Sequence, residues 1–270
     1  MTVARNLSVR ILWTKVITIA VLLAIWEAMA RSGLFFEGVL PPALAIGNAL
    51  IDELSDNGFY RDLGVTMLES GVGFLFGSLV AITVGIALGV NPFLRRMIEP
   101  FILAIGGTPK IVFLPILFLI FGLGIESKMA KSALSTFFPV AISTTSGFIQ
   151  IPVIFLLVGR SFHLTRWQMA TKIYVPAMAR PLLTGLRLGI AMAIIGVLSA
   201  EITYSDRGLG FRLIRDADQF HIPSVYAIVI LIFFTAATIN FTATLLEDYF
   251  ARHERGRVRN EMMSIGLSPA

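Results

Sequence analysis

Cysteine is absent from this 270-residue sequence, and only 14% of its residues are charged. Without cysteine the chain forms no disulfide, holds no metal through a thiolate and carries no cysteine nucleophile. Hydrophobic residues make up 56% of the sequence, and its mean hydropathy is +0.81. Such a composition is too apolar for one ordinary soluble domain and predicts an integral membrane protein.

Motifs for nucleotide and ester hydrolysis are also absent. The sequence contains no G-x-x-x-x-G-K-[ST] phosphate loop and no G-x-S-x-G nucleophile elbow. Its histidines, His163, His221 and His253, fall in predicted loops or in the tail, and no carboxylate shares a helix face with them. We therefore expect neither a metal site nor an enzymatic activity in this chain. The net charge of +5 does not indicate nucleic-acid binding, because the basic residues lie beside apolar runs, as topology signals do.

Six apolar runs are long enough to cross about 30 Å of hydrocarbon at about 1.5 Å per residue. The first run ends in Ala28-Met29-Ala30, which is similar to the cleavage site of a signal peptide. Because Trp26 and Glu27 interrupt that site, we expect an uncleaved first span. The predicted fold is therefore one all-α transmembrane domain over residues 1–270. Its six spans are predicted at residues 11–31, 66–90, 97–121, 129–148, 181–203 and 225–249.

Glycines in the second predicted span recur at a spacing typical of close helix packing. The pairs Gly73/Gly77 and Gly85/Gly89 both fit the small-xxx-small pattern. Ordinary packing of this span against another helix explains them. Outside the spans, residues 43–54 are predicted as a short surface helix and residues 204–223 as a polar loop.

The distribution of basic residues predicts the orientation in the membrane. Six crossings place both termini on one side, and the segments on that side carry about twice as many Lys and Arg residues as the opposite side. Arg95-Arg96, the segment after Arg160 and the tail containing Arg252 and Arg255 contribute to this excess. We therefore expect both termini to be cytoplasmic.

The third predicted span is interrupted by helix breakers, with an ionisable residue between the breaks. Gly106-Gly107-Thr108-Pro109 and Pro115 flank Lys110. Non-helical backbone at membrane depth is tolerated where it is buried in protein or lines a wet cavity, so Lys110 is a candidate for a transport path. The alternative is that Lys110 lies near an interface and extends its ammonium to water. The predicted path residues are Glu69, Thr108, Pro109, Lys110 and Glu201.

A basic segment from Arg160 to Pro181 separates two of the apolar runs. On one helix, Phe162 and Met169 fall on one side, while Leu164 and Trp167 fall on a broadly opposite side. A helix with two apolar stripes can contact two bodies. The alternative is an amphipathic helix lying in the lipid headgroup layer.

Residues from Ser161 to Arg187 resemble the EAA loop of bacterial ABC importer permeases, and in particular the nitrate/sulfonate/taurine type. Supporting residues extend over nearly the whole chain and include Leu40-Pro41-Pro42, Phe137-Phe138-Pro139 and Ala200-Glu201 with Gly208-Leu209-Gly210. The resemblance implies a type I importer-like fold in the bacterial inner membrane. It also implies a cytoplasmic coupling helix over residues 160–171 that docks on a separate ATPase. The residues that match the docking loop are Arg160, Ser161, Phe162, His163, Leu164, Thr165, Arg166 and Trp167.

The resemblance further implies the partners and the substrate class. ATP and Mg²⁺ belong to the ATPase subunits, and this chain itself is expected to bind no cofactor. A second permease copy pairs with the first, most simply as a homodimer, and an extracytoplasmic binding protein contacts outer loops at residues 122–128 and 204–223. The expected substrate is a small anion such as nitrate, a sulfonate, a taurine-like compound or an aromatic acid. A pyrimidine-type vitamin precursor is the alternative.

Four positions depart from the family pattern. Leu157 stands where the family carries Glu, Gly159 where it carries Ala, and His163 where it carries a loop glycine. Glu69 stands where many relatives carry Arg. If the glycine serves a positive φ, His163 meets it only at a cost of about 1 kcal/mol or more. His163 therefore either adopts an ordinary helical conformation or gains something from its partner.

Three other classes of function remain as alternatives at this point. A secondary transporter is disfavoured because the chain shows no convincing internal repeat. An intramembrane enzyme is disfavoured because Glu69, Lys110 and Glu201 do not lie on one predicted helix. A membrane scaffold without transport activity is the third.

Overall fold

The computed structural model describes residues 2–33 and 38–264, and all regular elements in these ranges are helical. The predicted all-α class is therefore confirmed. A 3₁₀ helix at Lys110–Phe113 and a π-helix at Ala170–Tyr174 interrupt the α-helices. The α-helices are α1 (Thr2–Arg31), α2 (Ala43–Ser55), α3 (Asn57–Val90), α4 (Pro92–Gly107), α5 (Leu114–Phe121), α6 (Ile125–Ile149), α7 (Val153–Ser161), α8 (Arg166–Met169), α9 (Val175–Thr203), α10 (Leu209–Asp218) and α11 (Ile222–Ser264).

Five helices of the described part of the chain are long and apolar enough to cross a membrane. A sixth crossing forms if α4 and the helical stretch Lys110–Phe121 count as one broken span, bent by 98°. Its break coincides with the predicted interruption after Gly106. The fifth span differs from the prediction, because α9 begins at Val175 and Pro181 lies inside it rather than at its start. Membrane helices tolerate proline because neighbouring groups satisfy the freed carbonyl.

The chain divides into two compact units. One comprises Met1–Arg61 and Arg212–Ile232, and the other comprises Asp62–Phe211 and Phe233–Ala270. Most of the membrane-spanning helix length and all of the predicted docking and path residues belong to the second unit.

In the first unit, the region predicted as a polar loop contains helix α10, so that part of the loop prediction is wrong. Arg212 is buried on this helix, and its Nε donates to Glu53 Oε2 of α2 at 2.7 Å, while Nη2 contacts Asp56. Burial raises the pKa of Glu53 even though Arg212 opposes the shift, and the hydrogen bond from Arg212 lowers the pKa of Asp56. This ion cluster is non-local in sequence, so the local pattern alone gives no signal for it.

In the second unit, α3 packs on α6 through the glycines that the sequence singled out. A Cβ added to Gly77 would lie 2.5 Å from the carbonyl oxygen of Ala133 and 2.8 Å from its Cα. A Cβ added to Gly85 would lie 2.5 Å from Cβ of Thr144. The packing interpretation of these glycines is confirmed, because only a hydrogen fits where the two backbones approach each other.

We predict that Gly77→Ala destabilises the protein, because the new methyl meets backbone atoms that have no flexible side chain to move. Overpacking of this kind costs about 1 to 3 kcal/mol. The melting temperature of the purified protein in detergent measures the effect. Gly71→Ala is the matched control, because Gly71 lies on the same helix and has nothing within 4 Å of an added Cβ. Equal melting temperatures for the two variants would contradict the packing assignment.

Candidate functional site

The predicted docking segment consists of two short helices joined by a tight turn, rather than one helix over residues 160–171. Helix α7 ends at Ser161, and α8 begins at Arg166. His163 N donates to Arg160 O at 2.9 Å, and Leu164 N donates to Gly159 O at 3.0 Å. This pair of bonds is the Schellman motif, which closes a helix with one residue in the left-handed conformation.

His163 is that left-handed residue, with a φ of +50°. Of the two predicted alternatives, the ordinary helical conformation is therefore wrong, and a gain from the partner stays a prediction. Glycine meets such a φ without steric cost, whereas a side chain at this position costs about 1 to 2 kcal/mol. The turn thus gives a physical reason for a glycine at this position, as the resemblance implies.

Thr165 starts the second short helix through a capping box. Its Oγ1 accepts from Gln168 N at 3.3 Å, and its own N donates to Gln168 Oε1 at 2.9 Å. Two backbone donors that have no partner inside the helix are satisfied in this way. The capping box and the Schellman motif together fix the backbone on both sides of residues 162–164.

The turn presents two aromatic side chains outward. Phe162 is 75% exposed and Trp167 is 77% exposed, while Leu164 is half-buried. Large apolar side chains with this exposure are suited to burial against another body. The remaining matched residues of the segment are also exposed, namely Arg160, Ser161, His163, Thr165 and Arg166.

The inward side of the segment differs from the predicted apolar stripes. Gly159 is buried, and a Cβ at this position would lie 2.7 Å from Ile173 Cδ1 and close to Met169 Sδ. Met169 and Ile173 therefore pack on Gly159 instead of sharing a stripe with Phe162, because the turn breaks the helical register between them. The absence of a Cβ at Gly159 makes room for this contact.

Glu69 and Glu201, both predicted path residues, lie side by side in the interior of the second unit. Glu201 Oε1 accepts from Thr66 Oγ1 at 2.7 Å, and Oε2 accepts from Gly210 N at 2.7 Å. Glu69 contacts the Glu201 carboxyl group and keeps one buried oxygen, Oε2, without a hydrogen-bond partner among the described residues. Their positions on α3 and α9 are far apart in sequence, so only the fold brings them together.

The carboxyl group of Glu201 caps the start of helix α10. Gly210 N, Leu209 N and Gly208 N donate to Glu201, Thr66 and Asp62 respectively, the last at 3.1 Å. The first backbone N–H groups of a helix lack partners inside the helix and carry partial positive charge, which a carboxylate complements. Three side chains thus hold the loop that precedes α10.

The other predicted path residues lie at the bend of the broken span. Thr108 and Pro109 are exposed, and Lys110 is half-buried with its Nζ donating to Gly106 O at 2.7 Å. Lys110 Nζ also lies 5.2 Å from the centre of the Phe138 ring. The structure therefore places Lys110 among different neighbours from those of Glu69 and Glu201.

Sequence reasoning missed two buried lysines on α6. Lys128 Nζ donates to Leu123 O at 2.9 Å and Gly124 O at 3.2 Å, and Lys131 Nζ donates to Lys110 O at 2.5 Å. Both lysines are almost fully buried. The signal that identifies them is an ionisable residue inside an otherwise apolar span.

Comparison with known proteins gives consistent matches. The profile of a family described as "Binding-protein-dependent transport system inner membrane component" matches residues 73–256. The chain is 29% identical over 208 residues to the taurine transport system permease protein TauC of Escherichia coli (strain K12), covering 75% of each chain. It is 31% identical over 210 residues to the formylaminopyrimidine transport permease protein ThiX of Halalkalibacterium halodurans, covering 76% of this chain and 82% of the relative.

A solved structure shares the fold. It is described as an inward-facing conformation of the MetNI methionine ABC transporter and superposes with a TM-score of 0.62 at 16% sequence identity. The match covers 72% of this chain and 95% of that chain. At this identity the likeness establishes the type I importer-like architecture alone.

We predict that Thr66→Val destabilises the second unit, because it leaves Leu209 N and one oxygen of Glu201 without their partner. Leaving a buried polar group unpaired costs about 1 to 3 kcal/mol. Thr83→Val is the matched control, since Thr83 lies exposed on the same helix and donates only to Leu79 O. Thermal unfolding of both variants in detergent measures the difference, and an unchanged midpoint for Thr66→Val would contradict the buried network.

We also predict that His163→Gly strengthens the turn between α7 and α8 by about 1 kcal/mol, because glycine adopts the positive φ without strain. Hydrogen exchange at the amides of residues 163 and 164 should slow about fivefold, since both amides donate within the turn. His163→Ala is the control that removes the imidazole and keeps the Cβ. Equal slowing in both variants would show that the backbone conformation is not the cause.

Proposed function

Because this chain belongs to the family of binding-protein-dependent transport system inner membrane components, we propose that it docks on a separate cytoplasmic ATPase through the turn at residues 162–167. The chain is a multi-pass inner-membrane permease subunit of an ABC importer. This membership replaces the alternatives of a secondary transporter and an intramembrane enzyme, and the docking test below separates an importer from an inactive scaffold. ATP hydrolysis, with its Mg²⁺, is assigned to the partner subunit.

The exposure of Phe162 and Trp167 on a fixed turn is the observation that carries the docking proposal. Aromatic anchors contribute most to an interface when they enter a pocket from a rigid support, because little conformational entropy is then lost on binding. Both ends of this turn are closed by backbone hydrogen bonds. Closure of the ATPase would therefore move α9, which follows the docking segment through the π-helix at Ala170–Tyr174.

Both termini and the docking segment are placed on the cytoplasmic side. The excess of Lys and Arg on that side supports this orientation. The tail arginines Arg252, Arg255, Arg257 and Arg259 contribute to the excess, although their side chains lie outside the described residues.

Two further partners complete the importer. A second copy of this permease pairs with the first, so that the path lies between two transmembrane subunits. An extracytoplasmic binding protein delivers the substrate to the outer loops, of which residues 122–124 and 204–208 lie outside the helices. Exposed Leu123 and Tyr204 support this contact surface, because both are large apolar side chains at loop positions.

The substrate is a small anion, such as nitrate, a sulfonate, a taurine-like compound or an aromatic acid. Similarity to a permease named for taurine supports this class. A pyrimidine-type vitamin precursor is the second candidate, because a permease named for formylaminopyrimidine is similar to a comparable extent.

Trp167→Ala should uncouple transport from ATP hydrolysis. Truncating an aromatic anchor at the centre of an interface costs about 2 to 4 kcal/mol, enough to weaken the complex with the ATPase severely. The assay measures uptake and binding-protein-stimulated ATPase activity of the reconstituted complex, together with co-purification of the ATPase subunit.

Trp13→Ala is the matched control for this variant, because Trp13 is also an exposed tryptophan, 62% exposed on α1, outside the docking segment. It should retain uptake and ATPase stimulation. If Trp167→Ala retains both as well, the docking assignment is wrong.

A further inference from the structure

Two lysines come together at the bend of the broken span, where the ammonium group of Lys131 contacts the backbone of Lys110. The chain turns by 98° between α4 and the stretch that begins at Lys110. Lys131 of α6 is only 2% exposed, and its Nζ donates to the carbonyl oxygen of Lys110 at 2.5 Å. Lys110 is half-buried beside the exposed Thr108 and Pro109, so the pair is reached from the side of Lys110.

The hydrogen bonds of the two ammonium groups leave donors unused. An ammonium has three N–H donors. Lys110 Nζ donates to Gly106 O and Lys131 Nζ to Lys110 O. Among the described residues each of these two ammonium groups donates one hydrogen bond, so two of its three N–H donors remain unused.

The charges of the pair are not balanced by the protein around them. Among the described residues neither lysine forms a salt bridge, and the two ammonium groups repel one another. The carboxyl end of α4 offers a partial charge of only about −0.5. Burial of ammonium charge without a counter-charge is costly.

Lys128 provides an internal comparison on the same helix. It is as deeply buried as Lys131, and it also donates to backbone carbonyls. However, Lys128 interacts electrostatically with the carboxyl groups of Glu69 and Glu201. Lys128 therefore caps backbone carbonyls while nearby carboxyl groups balance its charge. At Lys110 and Lys131 the end of α4 offsets only about half of one charge, so about one and a half positive charges remain unmatched.

We infer that Lys110 and Lys131 bind the anionic group of the substrate within the path, with Lys110 in contact and Lys131 behind it. The ligand is a monoanion of the nitrate, sulfonate or carboxylate class, held by unused N–H donors and by the unmatched charge. This inference rests on the proposed importer function. It selects the anionic substrates over the neutral pyrimidine class, for which the positive charge of Lys110 and Lys131 offers no complementary partner.

The test measures anion binding without ATP, so that it is independent of coupling. The permease is placed in nanodiscs of phosphatidylcholine, and its melting temperature is followed as sodium nitrate or sodium methanesulfonate replaces sodium chloride at constant ionic strength. Wild-type protein should show a saturable rise, as expected for a ligand that binds the folded state. Lys110→Met and Lys131→Met should each raise the apparent Kd by about tenfold or more.

Two further variants keep the result interpretable. Lys128→Met removes an equally buried lysine from the same helix and should retain the saturable rise with an unchanged apparent Kd. Lys131→Arg preserves the charge and should retain anion binding, which guards against a Lys131→Met protein that fails to fold.

Three outcomes would overturn the inference. The first is a wild-type protein with no saturable response, and the second is a response that survives in Lys110→Met and Lys131→Met. The third is a response that appears only when phosphatidylglycerol is added to the nanodiscs, because the pair would then bind a lipid headgroup instead of a soluble anion. In each case, loss of coupled transport in the Trp167→Ala variant would still support the importer function. Normal coupled transport in that variant would reject the docking assignment, whatever the anion measurements show.

Discussion

Backbone polar groups inside a membrane have no water to bind, so every break in a helix must be closed by the protein itself. In the second unit, charged side chains close the breaks. Lys110 donates to Gly106 O at the end of α4, and Lys128 donates to Leu123 O after α5. Glu201 accepts from Gly210 N at the start of α10. The irregular segments therefore keep these backbone groups hydrogen-bonded without water.

Close packing of α3 on α6 sets where those charged groups lie. Gly77 brings the two backbones so near that no Cβ fits between them. Lys128 and Lys131 both project from α6, three residues apart, yet the first meets carboxyl groups and the second meets another lysine. The same residue type on one helix is thus charge-balanced at one position and unbalanced at the next.

The proposed docking turn and the predicted path residues differ in how their side chains are exposed. Phe162 and Trp167 are free side chains on a backbone fixed by hydrogen bonds, which suits binding to a separate subunit. Glu69 and Glu201 are enclosed side chains in contact with each other, and Glu201 holds the loop before α10 in place. Position 163 shows the cost of fixing the turn, because a histidine occupies a left-handed conformation in order to close it.

The sequence by itself determined the properties that depend on local composition and spacing. Apolar runs predicted the all-α membrane fold, the Gly-Thr-Pro interruption predicted the broken third span, and the glycine spacing predicted close packing of the second. Each follows from neighbours within a few residues, such as the length of hydrocarbon that a run can cross or the loss of a hydrogen bond at proline.

Only the tertiary structure decided which charged residues meet. Thr66 and Glu201 are 135 residues apart, and Lys110 and Lys131 are 21 apart, so no local periodicity relates them. Helical periodicity also could not predict the turn at His163. It assumes one continuous helix, and a single residue with a positive φ ends that helix. In the low-dielectric interior an unbalanced charge is costly, so buried charges need partners. Which partners they meet depends on how helices that are distant in sequence pack together.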